Sequence, residues 1–289
     1  MSSLNVQQLG GTGTLPEILQ GFVYVAALFT ILYSIEGMVK LYASYSTARI
    51  VLVDNTLDSK KAKIIRQLPS KPQQLILPSD NQLTGVEFTY TFFLYINPES
   101  IDVNEPEGVL RQVFYKGYAN RPFPLVGPGV FLHARTNTMR VMMNSYKNWL
   151  CYTDIENLPI SKWIHVALVF RKNNLEVYVN GNIAGRIAME NTFPYQNFQD
   201  LIIFGNNGYN SDTKRFVPLG KSASSEEKVH IKGAISGQLS RFYYYRYALS
   251  YFEIQGLAGK GPSTTMDGGA DEFEKVPLGE TWYTTGIPR

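Results

Sequence analysis

The sequence predicts an all-β fold, an antiparallel two-sheet sandwich, carried behind one N-terminal transmembrane helix. Two observations set this class. An uncharged run from Ile18 to Ile35 opens the chain, and from about Gln73 onward short strand-like runs follow one another, each ended by Gly, Asn, Asp or Pro, with no βαβ alternation. Composition agrees: 44% hydrophobic against 18% charged is a foldable balance, and 19 Tyr with 16 Phe favour strands outside the N-terminal region. A net charge of +3 is too small to argue for nucleic acid, which needs dense Lys and Arg on one face.

Residues 1–14 read as an arm and 15–45 as the helix. Thr14 with Glu17 forms a capping box and Pro16 sits in the first turn, where its missing N–H costs nothing. The 18 uncharged residues, extended by Met38, Val39, Leu41 and Tyr42 beyond Glu36, suffice to span a bilayer. A secretory signal peptide would want a basic start, which is missing, although Ala43 to Ser46 resembles a cleavage region; a buried core helix is the other alternative. No Lys or Arg precedes the helix, whereas Lys40, Arg49, Lys60, Lys61, Lys63, Arg66 and Lys71 follow it, so the positive-inside rule expects the N-terminus outside and the large domain in the cytosol. The single cysteine, Cys151, and the lack of any Asn-x-Ser/Thr acceptor fit that side. Ala26, Thr30 and Ser34 form a small-residue stripe that reads most simply as lipid-facing.

Residues 46–72 read as a basic linker lying along headgroups or simply solvated. Residues 73–257 then form the sandwich. Its clearest strands are Phe88 to Ile96, Leu110 to Tyr115, Gly129 to His133, Met139 to Asn144, Trp163 to Arg171, Leu175 to Val179, Ile183 to Met189, Leu201 to Phe204 and Gly233 to Tyr245. Asn180-Gly181 is a type I′ hairpin signal and Asn173-Asn174 a second turn, so Trp163 to Met189 should be a three-stranded meander with Val177 and Val179 on one face and Glu176 and Tyr178 on the other. Ser250 with Glu253 caps a short helix from Tyr251 to about Gly256.

Within that meander, Leu158-Pro-Ile-Ser-Lys-Trp-Ile-His-Val-Ala-Leu-Val-Phe followed by Asn174-Leu-Glu-Val-Tyr-Val-Asn-Gly-Asn-Ile-Ala-Gly resembles the laminin-G-like branch of the concanavalin A-like lectin/glucanase superfamily. Phe88 to Ile96, Leu201 to Asn206 and Gly233 to Ser250 resemble further segments of that family in the same order. The resemblance implies two curved antiparallel sheets of about fourteen strands, a jelly roll, and no one function, since such a fold hosts lectins, glycanases, adhesion modules and structural proteins.

Hydrolases of the superfamily carry a Glu-x-Asp-x-x-Glu strand that flanks a glycosidic bond with two carboxylates; no Glu-x-Asp occurs here, so no catalytic residue is expected. The resemblance assigns His165 to packing, Trp163 reads as core from its place in the meander, and His133 and His230 are scattered. Cys151 reads as an inert thiol. Laminin-G-like domains often bind calcium through loop oxygens, which singles out Asp102, Asn104, Glu105 and Glu107, or Asn206, Asn207, Asn210 and Asp212, neither set having a diagnostic spacing. Loop aromatics able to stack on a sugar are Tyr118, Phe123, Trp149, Tyr195 and Tyr209. The tail, 258–289, is rich in Gly, Ser, Thr and Pro, cannot fold alone, and offers Trp282 and Tyr283 for contacts with other subunits. Together these features lead to the expectation of a non-catalytic structural or interaction protein. It would be held in a bilayer by Ile18 to Ile35 and bound to neighbours through both arms, as in a minor capsid or virion membrane protein of a large DNA virus. A membrane-tethered carbohydrate-binding module is the first alternative and a divergent glycoside hydrolase the second.

Overall fold

The computed structural model describes residues 15–69, 75–79, 81–82, 85–118, 125–148, 150–189, 192–206, 208–210 and 229–267. The chain divides into two compact units, one ending at Ala48 and the other beginning at Arg49. The first is a single helix, α1 (Leu15–Ala48), three residues longer than its expected end. Its segment Leu19–Lys40 is long and apolar enough to cross a membrane, and none of it is buried against protein. The polar side chains in this span are turned onto the helix itself. Thr30 Oγ1 donates to the Ala26 carbonyl at 2.8 Å and Ser34 Oγ to the Thr30 carbonyl at 2.7 Å, which satisfies each hydroxyl without a second helix. At its end Glu36 and Lys40 pair at 2.6 Å, one turn apart.

The second unit is the sandwich. In chain order its strands are β1 (Arg49–Asp58), β2 (Lys63–Ile65), β3 (Asn81–Gln82), β4 (Gly85–Val86), β5 (Phe88–Ile96), β6 (Val109–Lys116), β7 (Gly129–His133) and β8 (Met139–Met143). They continue with β9 (Cys151–Ile155), β10 (Trp163–Arg171), β11 (Asn174–Val179), β12 (Asn182–Ala188), β13 (Leu201–Ile203), β14 (Tyr209–Asn210), β15 (His230–Ala234) and β16 (Gly237–Tyr245). One sheet has the order β1-β16-β5-β10-β11-β12; the other runs β14-β15-β6-β7-β8-β9, with β13 bridging β6 and β2. Pairing is antiparallel throughout except where β15 runs parallel to β6.

The linker expected at 46–72 is not one. Arg49 follows Ala48 without an intervening residue, and β1 pairs with the closing strand β16 over Arg49↔Tyr245 to Asp58↔Gln238. Register shifts between Val51 and Val53 and between Val53 and Thr56 interrupt its alternation, and Ile50, Leu52, Val53 and Leu57 enter the core, which a solvated linker could not do. At the other boundary residues 259–267 belong to the domain too: Thr56 receives Met266 in a parallel bridge, with Thr56 N donating to the Thr265 carbonyl and Asp267 N to the Thr56 carbonyl, both at 2.8 Å. Lys63 closes this contact on Asp267 at 2.6 Å.

The interior is a slab of side chains from both sheets, including Phe88, Phe92, Leu94, Ile164, Leu168, Phe170, Val177, Leu239, Phe242 and Tyr244 from one and Phe114, Val130, Leu132, Val141 and Ile203 from the other. Phe92, Phe114 and Phe242 meet at ring separations of 4.6–5.4 Å. A bulge at Arg241, whose φ is 47°, breaks the alternation of β16 so that Leu239 and Phe242 both face inward. The meander keeps the expected faces, Val177 inside and Glu176 and Tyr178 outside, and Asn180 and Gly181 take the two positive φ angles of its turn. The other turn uses Lys172 and Asn173, one residue earlier than expected. Trp163 is corrected as well: it lies on the outer face, half-buried, its ring 5.5 Å from that of Tyr95, because the inward positions of β10 are Ile164, Val166, Leu168 and Phe170. The run Gly233 to Tyr245 splits into β15 and β16, and α2 (Tyr251–Ala258) starts at the expected Ser250/Glu253 capping box and buries Ile254 on Ala167, Val169 and Tyr178.

These registers define two ends. The entry end, where the chain enters the sandwich at Arg49, gathers Tyr245, Phe88 and Phe170 from one sheet. It gathers Lys116, Gly129, Met143, Cys151 and Leu201 from the other. The far end gathers Ile96, Trp163 and Gly237 with Val109, His133, Met139 and Ile155, tied by Asp102 N to the Ala134 carbonyl at 2.7 Å.

Candidate functional site

On the far end, the strands β7, β8 and β9 place polar side chains on the outer face because their alternate residues fill the core. Leu132, Met139, Val141 and Ile155 point inward, so His133, Arg140 and Asp154 point out. Register sets Arg140 opposite Asp154, and the guanidinium donates through Nε to Oδ1 and through Nη2 to Oδ2, both at 2.7 Å. The same guanidinium lies 4.2 Å from the centroid of the Tyr152 ring. His133 Nε2 stands 3.7 Å from Asp154 Oδ1.

The charges of this cluster are settled by their surroundings. Burial raises the Asp154 carboxyl, but Arg140's hydrogen bonds and charge, with His133, outweigh it and hold the group below its ordinary value. Burial, assisted by Arg140, lowers His133, so its imidazole is neutral at pH 7. Asp154 is thus held as a carboxylate at neutral pH, paired with Arg140.

Above the cluster opens a cleft of about 720 Å³. Its floor is His133, Arg140 and Asp154; one wall is the turn Arg135-Thr136-Asn137-Thr138, the other Glu107-Gly108-Val109, with Glu156 and Asn157 at the rim. The turn is fixed by Asn137 Nδ2 donating to the Leu158 carbonyl at 3.0 Å and Leu158 N to the Asn137 carbonyl at 3.1 Å. Of the side chains lining the cleft only Val109 is apolar, so the cleft offers hydrogen-bond donors and acceptors on every side.

Of the calcium and aromatic candidates, Glu107 alone lines this cleft, and His133, read from sequence only as scattered, forms part of its floor. Asp102 accepts the backbone and side-chain N–H groups of Asn104 at 2.9 and 3.1 Å, and Glu105 accepts from Lys232 at 2.5 Å with Arg111 at 3.5 Å, so the carboxylates of that loop face turn donors and cations. Among the described residues no group of three His, Cys, Asp or Glu converges as a metal site would. Asn206 is exposed; Asn207 and Asp212 and the side chain of Asn210 lie outside the described residues, as do Phe123, Trp149, the side chain of Tyr209, Trp282, Tyr283 and the arm 1–14. Tyr118 and Tyr195 are at the entry end, remote from the cleft; Tyr195 meets Tyr146 edge-on at 5.2 Å. His165 is buried, its Nε2 2.7 Å from Thr91 Oγ1, as packing requires. Cys151 Sγ approaches Ser145 Oγ at 3.9 Å. Sequence reasoning missed Arg135, Arg140, Asp154, Glu156 and Asn157. The available signal was one charged residue flanked by apolar ones in Met139-Arg140-Val141 and by strand formers in Thr153-Asp154-Ile155.

A family model described as the concanavalin A-like lectin/glucanases superfamily matches residues 70–255. The chain belongs to this superfamily. Solved structures give distant likenesses. The botulinum neurotoxin serotype D ligand-binding domain in complex with N-acetylneuraminic acid is 9% identical, with 73% of this chain and 45% of that one covered at a TM-score of 0.47. The binding domain of Paraclostridial Mosquitocidal Protein 1 is 13% identical over 74% and 46%, also at 0.47. A Trypanosoma rangeli sialidase is 17% identical over 60% and 22%, at 0.38. This chain therefore spans less than half the length of each. No curated protein matches it. Membership in the concanavalin A-like superfamily accounts for the sandwich and leaves the activity to the site.

Proposed function

We propose that this protein is a bilayer-anchored, non-catalytic recognition module that takes a glycan in its far-end cleft, with Leu19–Lys40 as the anchor. The carrying observation is the cleft itself: about 720 Å³, polar on every side, with a bidentate Arg140–Asp154 pair already assembled in its floor. Arg135, Asn137, Asn157 and Glu156 are suited to reading the hydroxyls of a polyhydroxylated ligand, while Asp154, held ionised, is unsuited to general acid catalysis. The test uses the full chain in nanodiscs on an array of neutral and acidic oligosaccharides. Saturable binding that falls about tenfold in Arg135→Ala and Glu156→Ala, without release of reducing sugar, is the expected result. Binding indifferent to both substitutions, or turnover of the bound sugar, would overturn the reading.

The orientation with the domain on the cytosolic side now rests on Lys40, the one base beyond the apolar run that lies outside the folded domain, and on Arg49 at the domain's first position. Lys60, Lys61, Lys63 and Arg66 belong to a folded domain, and such domains cross membranes largely regardless of charge. Protease protection of the sandwich in sealed vesicles decides it. A second reading, a structural component of a large assembly such as a virion with an internal membrane, draws on residues 259–267, which pack on the domain at Thr56 and carry the chain onward beyond Asp267. Cross-linking of residues beyond Asp267 to another chain in native particles is its test.

A further inference from the structure

Exposed apolar side chains of the sandwich unit occur on α2 (Phe252, Tyr251), on β12 (Ile183), on β2 (Ile64) and at Met266, and a separate group gathers at one end. Phe198 is 71% exposed, Tyr146 70% and Phe193 51%, and Leu68, Leu77 and Tyr118 are exposed with them. All six lie at the entry end. Tyr146 N donates to the Phe193 carbonyl at 3.1 Å; Leu77 and Phe198 border Phe88, Tyr244 and Lys116, and Tyr244 OH donates to the Leu77 carbonyl at 2.9 Å. Leu68 follows Gln67, whose N–H donates to Asp200, next to the Leu201↔Lys116 pair, and Tyr118 lies just beyond Lys116. Exposed bases accompany them: Arg66 follows β2, Lys147 follows Tyr146, and Lys172 occupies the β10–β11 turn. At the far end the exposed charges are of both signs, Glu99, Glu107 and Glu156 beside Lys60, Lys61, Arg135, Lys162 and Lys232, and its loops expose one large apolar side chain, Val103, among the described residues.

The same end receives the chain from its anchor. β1 begins at Arg49, directly after α1, and only residues 41–48 separate it from the membrane-crossing window, so chain connectivity alone keeps this end within reach of the headgroups. A headgroup layer is about 5–8 Å deep on each side of the apolar core. Aromatic side chains are at home in that layer, where their rings leave water while Tyr hydroxyls stay hydrated, and bases there meet anionic lipid.

Resting on the anchor reading, we infer that the entry end of the sandwich is a bilayer-docking face, with Phe198, Phe193 and Tyr146 seated in the interfacial layer of the membrane that holds α1. This leaves the cleft on the opposite end, facing away from lipid.

The test is depth-dependent quenching in the full chain. A small polarity-sensitive fluorophore is attached to Phe198→Cys, Val103→Cys or Leu28→Cys, each in Cys151→Ser, and each protein is reconstituted in vesicles of phosphatidylcholine with phosphatidylserine, with or without doxyl-labelled lipid. The expected result is strong quenching at Leu28, at least twofold quenching at Phe198 by lipid carrying a shallow doxyl group, and none at Val103. Quenching at Leu28 with Phe198 no more affected than Val103 overturns the docking face and leaves the anchor intact. A blue-shifted, unquenched Phe198 label means a protein partner instead and also overturns it. An unquenched Leu28 label removes the anchor, and the docking face with it.

Discussion

Both ends of the sandwich are built from the same strands, and they differ in how each turns its polar groups. At the entry end the polar groups point inward: Lys116 is buried, and its ammonium donates to the Asn197 carbonyl at 2.5 Å, Asn197 Oδ1 at 3.2 Å and the Gln199 carbonyl at 2.7 Å, while Phe193 and Phe198 from the same loop face outward. At the far end the polar groups point outward: Arg140 and Asp154 pair on the surface over a dry interior of Leu132, Met139 and Ile155. One sheet thus presents an inverted surface at one end and an ordinary one at the other. An inverted surface is tolerable where the surroundings are less polar than water.

The largest expected effect tests the inward polar group. Lys116→Met removes the donor from three oxygens and should cost about 4 kcal/mol in urea unfolding, because buried acceptors are left unpaired. Next comes acid. Burial pulls His165 down to about 4, so the unfolded chain binds its proton first as pH falls. Stability should therefore drop by roughly 3 kcal/mol between pH 6.5 and 4, a drop His165→Gln should largely remove; thermal unfolding across that window reads it out. His133, also lowered, adds to the loss with the same sign. Arg140→Ala at the far end should cost only about 1 kcal/mol, since its pair is partly exposed, and a loss equal to that of Lys116→Met would erase the contrast. Smallest is Phe198→Ser, expected to leave the urea midpoint in detergent within about 0.5 kcal/mol of the parent; a large loss would show Phe198 to be core.

Much of the fold was legible from local signals. Asn180-Gly181 announced its turn, the Ser250/Glu253 box its helix, and Phe88 to Ile96 its strand to the residue. β1 stayed hidden because Arg49-Ile-Val-Leu-Val-Asp-Asn-Thr-Leu-Asp follows an apolar helix with no turn residue between them, and its partner β16 lies almost two hundred residues away. β9 was missed because Cys151, Tyr152 and Thr153 are each half-exposed and show no clean alternation. The cleft could not be read at all: its floor joins residues 133, 140 and 154 through strand register, which no single stretch of sequence encodes. Aromatic content pointed to loops such as those of Tyr118 and Tyr195, and these belong to the other end.

The parallel bridge between Thr56 and Met266 has a mechanical consequence. A load pulling the anchor one way and the C-terminal continuation the other enters at Arg49 and leaves at Asp267, so it acts along these two neighbouring segments in shear. The Thr56 backbone bonds and the Lys63–Asp267 pair would have to rupture together, not one after another as in unzipping. The domain is thereby built to bear tension applied between its two chain ends.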